Sequence, residues 1–166
     1  MAEQTTLNIQ DATEEDVPLV LTLIRELAQF ERVVERVSAT EEQLRATLFG
    51  PTPYARAVIA YGHNEPVAFA IYFFTYTSFA GLPSLYLEDI FVRPGSRERG
   101  IGRQLLSFLA RRASHRGCGR MEWAVLNWNE AAMAFYRKVG AEPVNDWTVF
   151  RLGKDNLDKL ATADDW

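Results

Sequence analysis

A glycine-containing segment at residues 92–102 has the composition of a site for phosphate groups. Gly95, Gly100 and Gly102 lie where a predicted strand ends and a predicted helix begins. The first backbone N–H groups of a helix have no internal partners, and the helix dipole favours negative charge beside them. Glycine also lets a ligand approach the backbone closely. The segment therefore predicts an anion site that binds phosphate through backbone N–H groups.

Two familiar phosphate motifs do not fit this segment. A nucleoside triphosphate P-loop needs Lys and then Ser or Thr after its last glycine, but Ile101 and Gly102 follow Gly100. A dinucleotide fingerprint needs its glycines directly after the strand, whereas seven loop residues separate Val92 from Gly100. A phosphate-carrying ligand of another class is therefore expected.

The segment does contain the pattern Arg-x-x-Gly-x-Gly, formed by Arg97, Gly100 and Gly102 after Val92 and Pro94. This pattern resembles the acetyl-coenzyme A (acetyl-CoA) pyrophosphate loop of the GNAT family of N-acetyltransferases. The resemblance implies acetyl-CoA as the co-substrate. It assigns cofactor contacts to a run from the end of the strand into the helix: Ile90, Phe91, Val92, Arg97, Glu98, Arg99, Gly100, Ile101, Gly102 and Arg103.

A second segment, further along the chain, resembles the other cofactor segment of the same family. It is marked by Asn129, the adjacent Ala131 and Ala132, Tyr136 and the terminating Gly140. In the family, the asparagine and the helix after it meet the pantetheine and the reacting thioester. The resemblance therefore implies that Asn129, Ala131, Ala132 and Tyr136 also contact the cofactor. A short amphipathic helix with a buried tyrosine is the alternative interpretation.

The chain from about Leu7 to Ala161 further resembles the spermidine/spermine (diamine) acetyltransferase branch, most clearly over residues 23–31, 70–76 and 85–92. This branch acetylates polyamines, diamines, thialysine-like amino acids and other small primary amines. The loop between Gly140 and Trp147 is shorter than in the animal members and lacks their adjacent acidic pair. The resemblance thus implies a small cationic amine as substrate, with the particular amine left open.

Acetyl transfer to an amine needs a base, a donor for the oxyanion and an acid for the departing thiolate. Alkyl amines have a pKa near ~10.4, so a proton must be removed before attack. The resemblance places Glu88 in the base position and Tyr136 at the thioester sulfur as the acid. Asp89 is expected on the opposite face of the strand. Backbone N–H groups at 90–92 would hold the oxyanion, and Cys118 is expected to be structural.

Acidic and aromatic residues near these elements are the candidates for binding a cationic amine. Carboxylates spaced along a cleft would attract such a substrate, and Phe30 lies in the segment that resembles the family's substrate region. For Glu31 and Glu35 the alternative is a solvated helix end, and for Trp123 it is a core position. The candidate substrate-binding residues are Phe30, Glu31, Glu35, Glu88, Glu122 and Trp123.

The elements that must position these residues follow from the spacing of apolar residues. The order is a strand, two helices, three strands, a helix, a strand, a helix and a last strand. This order predicts an α/β fold, a GNAT-like mixed, mostly antiparallel central sheet flanked by helices on both faces, in one domain spanning 1–166. The predicted strands cover 6–10, 55–61, 67–77, 85–92, 121–126 and 147–152, and the helices 16–31, 40–49, 100–115, 130–139 and one or two turns at 155–161.

Composition sets further limits on the kind of protein. The chain has 166 residues, of which 48% are hydrophobic and 24% charged, and this is ordinary for a soluble domain. One cysteine excludes an intramolecular disulfide framework, and two separated histidines make a metal site unexpected. No apolar run approaches the ~20 residues of a membrane helix, and residues 1–11 lack a signal pattern. A cytoplasmic protein with no membrane partner and no metal is therefore expected.

The charge distribution separates the two expected ligands. Between Arg97 and Arg120, seven arginines and one glutamate give +6, so the rest of the chain carries −10 of a net −4. The positive block coincides with the predicted phosphate loop and its helix. Nucleic-acid binding through Arg111, Arg112 and Arg116 is a competing hypothesis, disfavoured by the acidic total. A non-catalytic CoA sensor and an acetyltransferase acting on a protein amine are two more. A homodimer is expected, with the aromatic run 69–76 as a candidate surface.

Overall fold

The computed structural model describes residues 7–163 and contains a mixed α/β sheet. Across these residues, five strands pair in the order of the sequence, β1-β2-β3-β4-β5. The first four pair in antiparallel fashion, whereas β4 and β5 are parallel. The predicted fold class is confirmed. The strands are β1 Leu7–Asp11, β2 Arg56–Gly62, β3 Glu65–Thr77, β4 Leu82–Val92 and β5 Arg120–Trp123.

The helices divide between two compact units. One unit extends to Asn129 and the other begins at Glu130. The sheet and the first three helices belong to the first unit, and the last two helices to the second. The single domain expected over 1–166 stays a prediction. The helices are α1 Val17–Phe30, α2 Glu41–Phe49, α3 Ile101–His115, α4 Glu130–Lys138 and α5 Lys154–Ala161.

Alternating side chains of β2 and β3 are buried on both faces of the sheet. On one face, Ile59 and Phe69 belong to the same buried cluster as Leu23 of α1. On the other face, Val58 and Tyr72 are also buried, since neighbouring strand residues point to opposite sides. That second face contacts α3. Helices therefore cover both faces, as the sequence predicted.

A polar contact joins α3 to the second face of the sheet. Arg112 donates one hydrogen bond to the Tyr72 hydroxyl at 2.6 Å and another to the Asp11 carboxylate at 2.7 Å. The bond from Arg112 holds the pKa of Asp11 below its usual value. Arg112 and its neighbour Arg116, whose guanidinium lies 5.1 Å from the Phe74 ring, thus have partners within the protein.

Local sequence signals set the starts of the first two helices. Pro18 lies in the first turn of α1, where its missing N–H costs no hydrogen bond. At α2, the N–H of Gln43 donates to the Thr40 hydroxyl at 3.2 Å, and the N–H of Thr40 donates to the Gln43 side chain at 2.9 Å. This is the capping box that the sequence predicted. Gly50 follows the last residue of α2, again as expected.

The predicted strand at 147–152 is wrong. These residues have no regular structure, although several of them are of the aromatic and β-branched types that strands favour. Trp147 is 75% exposed and Phe150 is 93% exposed. A strand exists only where a neighbour completes its hydrogen bonds, and the regular elements of the second unit are the helices α4 and α5. Two smaller differences are the earlier start of β4, at Leu82, and the earlier end of β5, at Trp123.

Candidate functional site

The edge of β4 is open over its last five residues. Pairing with β5 covers Ser84 to Leu87, and the last pair joins Leu87 to Trp123. β4 then continues to Val92, paired only with β3 on its other side. Strand backbone without a neighbour offers N–H and C=O groups to another extended chain. An amide-containing arm such as pantetheine fits this edge, so the geometry suits acetyl-CoA.

A β-bulge lies where β4 loses its pairing with β5. Ile71 pairs with Asp89 and Tyr72 pairs with Leu87, so Glu88 is the extra residue on β4. Bulges redirect side chains and are frequent beside active sites. The expectation that Glu88 and Asp89 face opposite sides relied on strict alternation, which the bulge interrupts. Glu88 is exposed and Asp89 is half-buried.

Backbone groups at Ile90 and Val92 point toward the open edge. The N–H of Arg93 donates to the Val67 carbonyl of β3 at 2.9 Å, so this amide faces β3. Successive residues of an antiparallel strand point their backbone groups alternately to the two sides. Ile90 and Val92 therefore face away from β3. This direction suits the predicted oxyanion donor at 90–92.

The loop before α3 exposes its backbone in left-handed conformations. Glu98 has a φ of 63° and Gly100 a φ of 74°. A non-glycine residue in this region is strained, and such strain is common where a loop binds a ligand. A Cβ added at Gly95 or Gly100 would have no heavy atom within 4 Å, so the loop backbone is accessible. Gly100 caps α3 without any side-chain hydrogen bond.

This loop places most of the predicted phosphate contacts together. Glu98, Arg99 and Gly100 are exposed, and Ile101 begins α3. Gly102 and Arg103 follow in the first turn, which contains no acidic residue. The helix N-terminus and the arginines both favour an anion here. The residues present thus fit a pyrophosphate group.

Arg97 differs from the other predicted phosphate contacts because it faces the protein. Its Nε donates to the Val92 carbonyl at 2.9 Å. Its guanidinium carbon lies 4.3 Å from the centre of the Phe30 ring and 5.6 Å from that of Phe91. Its own backbone N–H donates to the Pro94 carbonyl at 3.3 Å.

Aromatic rings join the end of α1 to the end of β4. The centre of the Phe30 ring lies 6.3 Å from that of Phe91 and 6.0 Å from that of Trp128. Phe91 is buried, whereas Phe30 is 36% exposed and so offers part of its face to a ligand. Glu31 follows Phe30 directly, and burial raises the pKa of its carboxyl. The predicted substrate residues Phe30 and Glu31 therefore lie beside the open edge.

Carboxylates on and near β4 form what we call the carboxylate row: Glu31, Glu88, Asp89 and Glu122. Burial raises the pKa of Asp89 to about 6, and the charges of Glu88 and Glu31 contribute to the rise. Burial likewise raises the pKa of the Tyr86 hydroxyl, with added effects of Glu88 and Glu122. Glu88 contributes to both shifts, with Glu31 acting on Asp89 and Glu122 acting on Tyr86. A cationic group placed there would relieve their repulsion.

The other predicted substrate residues lie on different elements. Glu122 of β5 pairs with Tyr86 in the sheet and forms an ion pair with Arg120 at 3.2 Å. Trp123 is half-buried, in register with Leu87 at the point where pairing ends. Glu35 is exposed in the short 3-10 turn Val34–Arg36.

The predicted acid and its companions belong to the second unit, apart from Asn129, which ends the first. Ala131, Ala132 and Tyr136 lie on α4. The Tyr136 ring lies 5.5 Å from that of Phe135, between centres. Gly140, with a φ of 90°, allows the chain to turn after α4. The structure therefore places these residues on one helix, as the sequence predicted.

Two features of the site were missed by sequence reasoning. Arg93 donates from Nε and Nη2 to the Glu26 carboxylate at 2.8 and 2.7 Å, and from Nη1 to the Pro66 carbonyl at 2.8 Å. This arginine joins α1, β3 and the end of β4. The raised pKa of Asp89 was also unforeseen. The one sequence feature that could have indicated this shift is the pair of adjacent acids, Glu88 and Asp89, in an otherwise apolar strand.

Cys118 lacks the surroundings of a nucleophile. Burial raises the pKa of its thiol, and the nearby Arg116 offsets this only in part. A protonated thiol is a poor nucleophile. Among residues 7–163, no three His, Cys, Asp or Glu side chains are grouped to hold a metal ion.

Comparisons with known proteins identify the family of this chain. A model of the acetyltransferase (GNAT) family matches residues 21–141. The chain belongs to the GNAT family. It is therefore an acetyl-CoA-dependent N-acetyltransferase, and acetyl-CoA is the co-substrate that the open edge and phosphate loop fit.

Relatives with curated functions align over most of this GNAT chain. Thialysine N-epsilon-acetyltransferase of Bos taurus is 36% identical over 92% of this chain and 96% of its own length. L-ornithine N5-acetyltransferase NATA1 of Arabidopsis thaliana is 29% identical over 92% of this chain and 86% of its own. Among solved structures, the integron cassette protein VCH_CASS6 of V. cholerae has a TM-score of 0.79 at 25% identity, over 95% and 99% of the two chains.

Proposed function

We propose that this protein transfers the acetyl group of acetyl-CoA directly to a primary amine of a small cationic substrate. Polyamines, diamines and thialysine-like amino acids are the substrate classes in view. The carboxylate row beside the open edge of β4 is the observation that supports this proposal. Relatives named for thialysine and ornithine acetylation, both small amines, support the same class.

The charge of the site explains the preference for a cation. Two of the acids, Asp89 and Glu31, have a raised pKa because burial disfavours their charged forms. An ammonium group in the row restores the interactions that water would otherwise supply. Phe30 lies next to Glu31 and presents a partly exposed ring, which favours an alkyl-ammonium chain.

Glu88 has the position expected of the base. As the extra residue of the bulge it is exposed, and it lies next to the open edge where the thioester would be bound. An exposed carboxylate can remove the amine proton directly or through a water molecule. The backbone N–H of Ile90 or Val92 would then stabilise the oxyanion.

Replacing Glu88 with glutamine should lower kcat/KM about 10²-fold at neutral pH, because the variant cannot accept a proton. The deficit should shrink at higher pH, where more of the amine is already neutral. The measurement is kcat/KM from pH 6 to 10. Glu15→Gln, which removes an exposed acid from the start of the chain, is the control. A Glu88→Gln profile parallel to that of the wild type would assign proton removal to another group.

Thiol release from acetyl-CoA across a panel of amines tests the proposed function itself. The panel contains spermidine, putrescine, thialysine, lysine, ornithine and an uncharged aryl amine. We expect saturable release with at least one cationic aliphatic amine and little with the aryl amine. Binding of acetyl-CoA without release for any amine would indicate a CoA sensor. A lysine-containing peptide is assayed beside the panel, and release with this peptide alone would indicate a protein substrate.

We propose a homodimer as the working assembly. The expected surface at 69–76 is wrong for Phe69 and Tyr72, because both are buried in the protein's own core. Exposed apolar side chains of the second unit support another surface. Trp147, Val149 and Phe150 are 75%, 89% and 93% exposed, more than isolated surface positions require.

A cytoplasmic location stays a prediction, and no helix of residues 7–163 has the length and apolar character for crossing a bilayer.

Replacing Phe150 with aspartate should convert the dimer to a monomer, because a charge would enter an apolar interface. Sedimentation velocity at micromolar concentration measures the change in mass. Tyr54→Asp, at another aromatic position that is 78% exposed, should leave the dimer intact. A wild-type protein that sediments as a monomer would contradict the dimer. Equal masses for the wild type and Phe150→Asp would place the interface elsewhere.

A further inference from the structure

The arginine that opens the phosphate-loop pattern makes its contacts inside the protein. Arg97 is half-buried, and its Nε donates to the carbonyl of Val92 at 2.9 Å. Its guanidinium lies over Phe30 at 4.3 Å, closer than the ~6 Å within which a cation and a ring attract each other. Both groups that it contacts border the open edge of β4.

Each of these contacts uses a property that only an arginine has. The planar guanidinium stacks on a ring while its Nε–H, at one end of the plane, donates in a fixed direction. Lysine has a compact ammonium group, which can either lie over the ring or donate a hydrogen bond to the carbonyl, but not both. The phosphate loop also has other cationic side chains, Arg99 and Arg103, together with its backbone N–H groups. The loop thus has other cationic groups for a phosphate, whereas Arg97 is the cation that lies over Phe30.

We infer that Arg97 is a positioning residue that fixes the Phe30 ring against the end of β4 and so aligns the amine site with the open edge. The inference rests on the proposed function, because Phe30 is taken to contact the amine. A second tether supports it: Arg93 holds Glu26 on the same helix through two hydrogen bonds. Arg93 and Arg97, the two ends of the segment 93–97, thus both contact the last part of α1.

Two binding measurements separate a positioning residue from a phosphate contact. In Arg97→Lys, the Kd for acetyl-CoA without amine should stay within about threefold of the wild type, since the loop backbone remains. The KM for the amine should rise about 5–10-fold, because the stacked guanidinium is lost. The double variant Arg97→Lys with Phe30→Leu should be little worse than Phe30→Leu alone, as contacting residues are not additive. Arg111→Lys, on an exposed contact of α3, is the control.

A spectroscopic readout tests the position of Phe30 without any turnover. In protein labelled with fluorophenylalanine, the resonance that disappears in Phe30→Leu belongs to Phe30. It should move in Arg97→Lys and Arg97→Ala and stay in place in Arg111→Lys. A Phe30 resonance unmoved in both Arg97 variants would overturn the inference. So would an unchanged amine KM, or a weakened acetyl-CoA Kd in Arg97→Ala that lysine restores.

Failure of the proposed function gives a different pattern. The wild type would then release thiol with no amine of the panel, and no amine KM would exist for any variant. The Phe30 resonance and the acetyl-CoA Kd would still decide whether Arg97 positions this ring.

Discussion

Replacing Tyr136 with phenylalanine should lower kcat by about 10²–10⁴-fold, the range over which a positioned general acid contributes. The departing thiolate belongs to a thiol with a pKa of about 8.5, and a phenol with a pKa of about 10 can protonate it only when held at the sulfur. Phenylalanine keeps the ring, and with it the contact to Phe135, but removes the proton. The fold and the affinity for acetyl-CoA should therefore change little.

Single-turnover kinetics and calorimetry with acetyl-CoA separate these effects. The first reports loss of the chemical step, and the second reports loss of binding. Tyr54→Phe removes the hydroxyl of an exposed tyrosine and is the matched control. An unchanged kcat in Tyr136→Phe would remove this residue as the acid. A Kd for acetyl-CoA that weakens as much as kcat would make Tyr136 a binding residue instead.

Replacing Asp89 with asparagine should stabilise the protein above pH 6 and weaken its affinity for the amine. Burial raises the pKa of this carboxyl from 3.8 to about 6, so the folded state holds the proton more tightly than the unfolded state. The protonated Asp89 makes its full contribution to the free energy of unfolding at pH values below 3.8, the pKa in the unfolded state. This contribution is lost as the pH rises through about 6, the pKa in the folded state. Above that pH the buried charge costs about 1–3 kcal/mol, which asparagine avoids.

Urea unfolding at several pH values between 4 and 8 measures this difference. The advantage of Asp89→Asn should grow from pH 4 to pH 6 and then stay constant. Glu15→Gln, which removes an exposed acid, should show no comparable trend. If the free energy of unfolding of Asp89→Asn and of the wild type changed with pH in the same way, ionisation of Asp89 would not destabilise the folded protein.

The same charge should serve the substrate. A cationic amine favours the ionised form of Asp89, so amine binding should strengthen as pH rises through about 6. The KM of the wild type should therefore fall across this range, whereas that of Asp89→Asn should be higher and nearly flat. A site that loses stability in order to hold a charge for its ligand is a common compromise in enzymes.

Local features of this protein could be predicted from its sequence alone. The capping box of Thr40 and Gln43, the place of Pro18 in α1 and the glycine at the start of α3 all formed as predicted. Each depends on atoms within about four residues, so the sequence contains the whole interaction. The exposed backbone of the loop before α3 is also local, because it depends on the conformations of a few consecutive residues.

Other features of this protein depend on contacts between segments that are distant in the sequence. The bond between Arg93 and Glu26 spans 67 residues, and the bulge at Glu88 appears only in the register of β4 against β3. The predicted strand at 147–152 has residue types that favour a strand, but the regular elements of its unit are helices. Pairing, register and burial are properties of two segments at once, and no single segment encodes them.

The candidate site combines local features with features that depend on distant segments. Its residue types and their order along the chain predicted the chemistry: a loop for phosphate, adjacent acids for a cation and a tyrosine as the acid. Only the tertiary structure decided that Arg97 turns inward to Phe30 and that Asp89 has its pKa raised to about 6. The physical reason is that the energy of a charged side chain is set by its neighbours in space, and the fold chooses those neighbours.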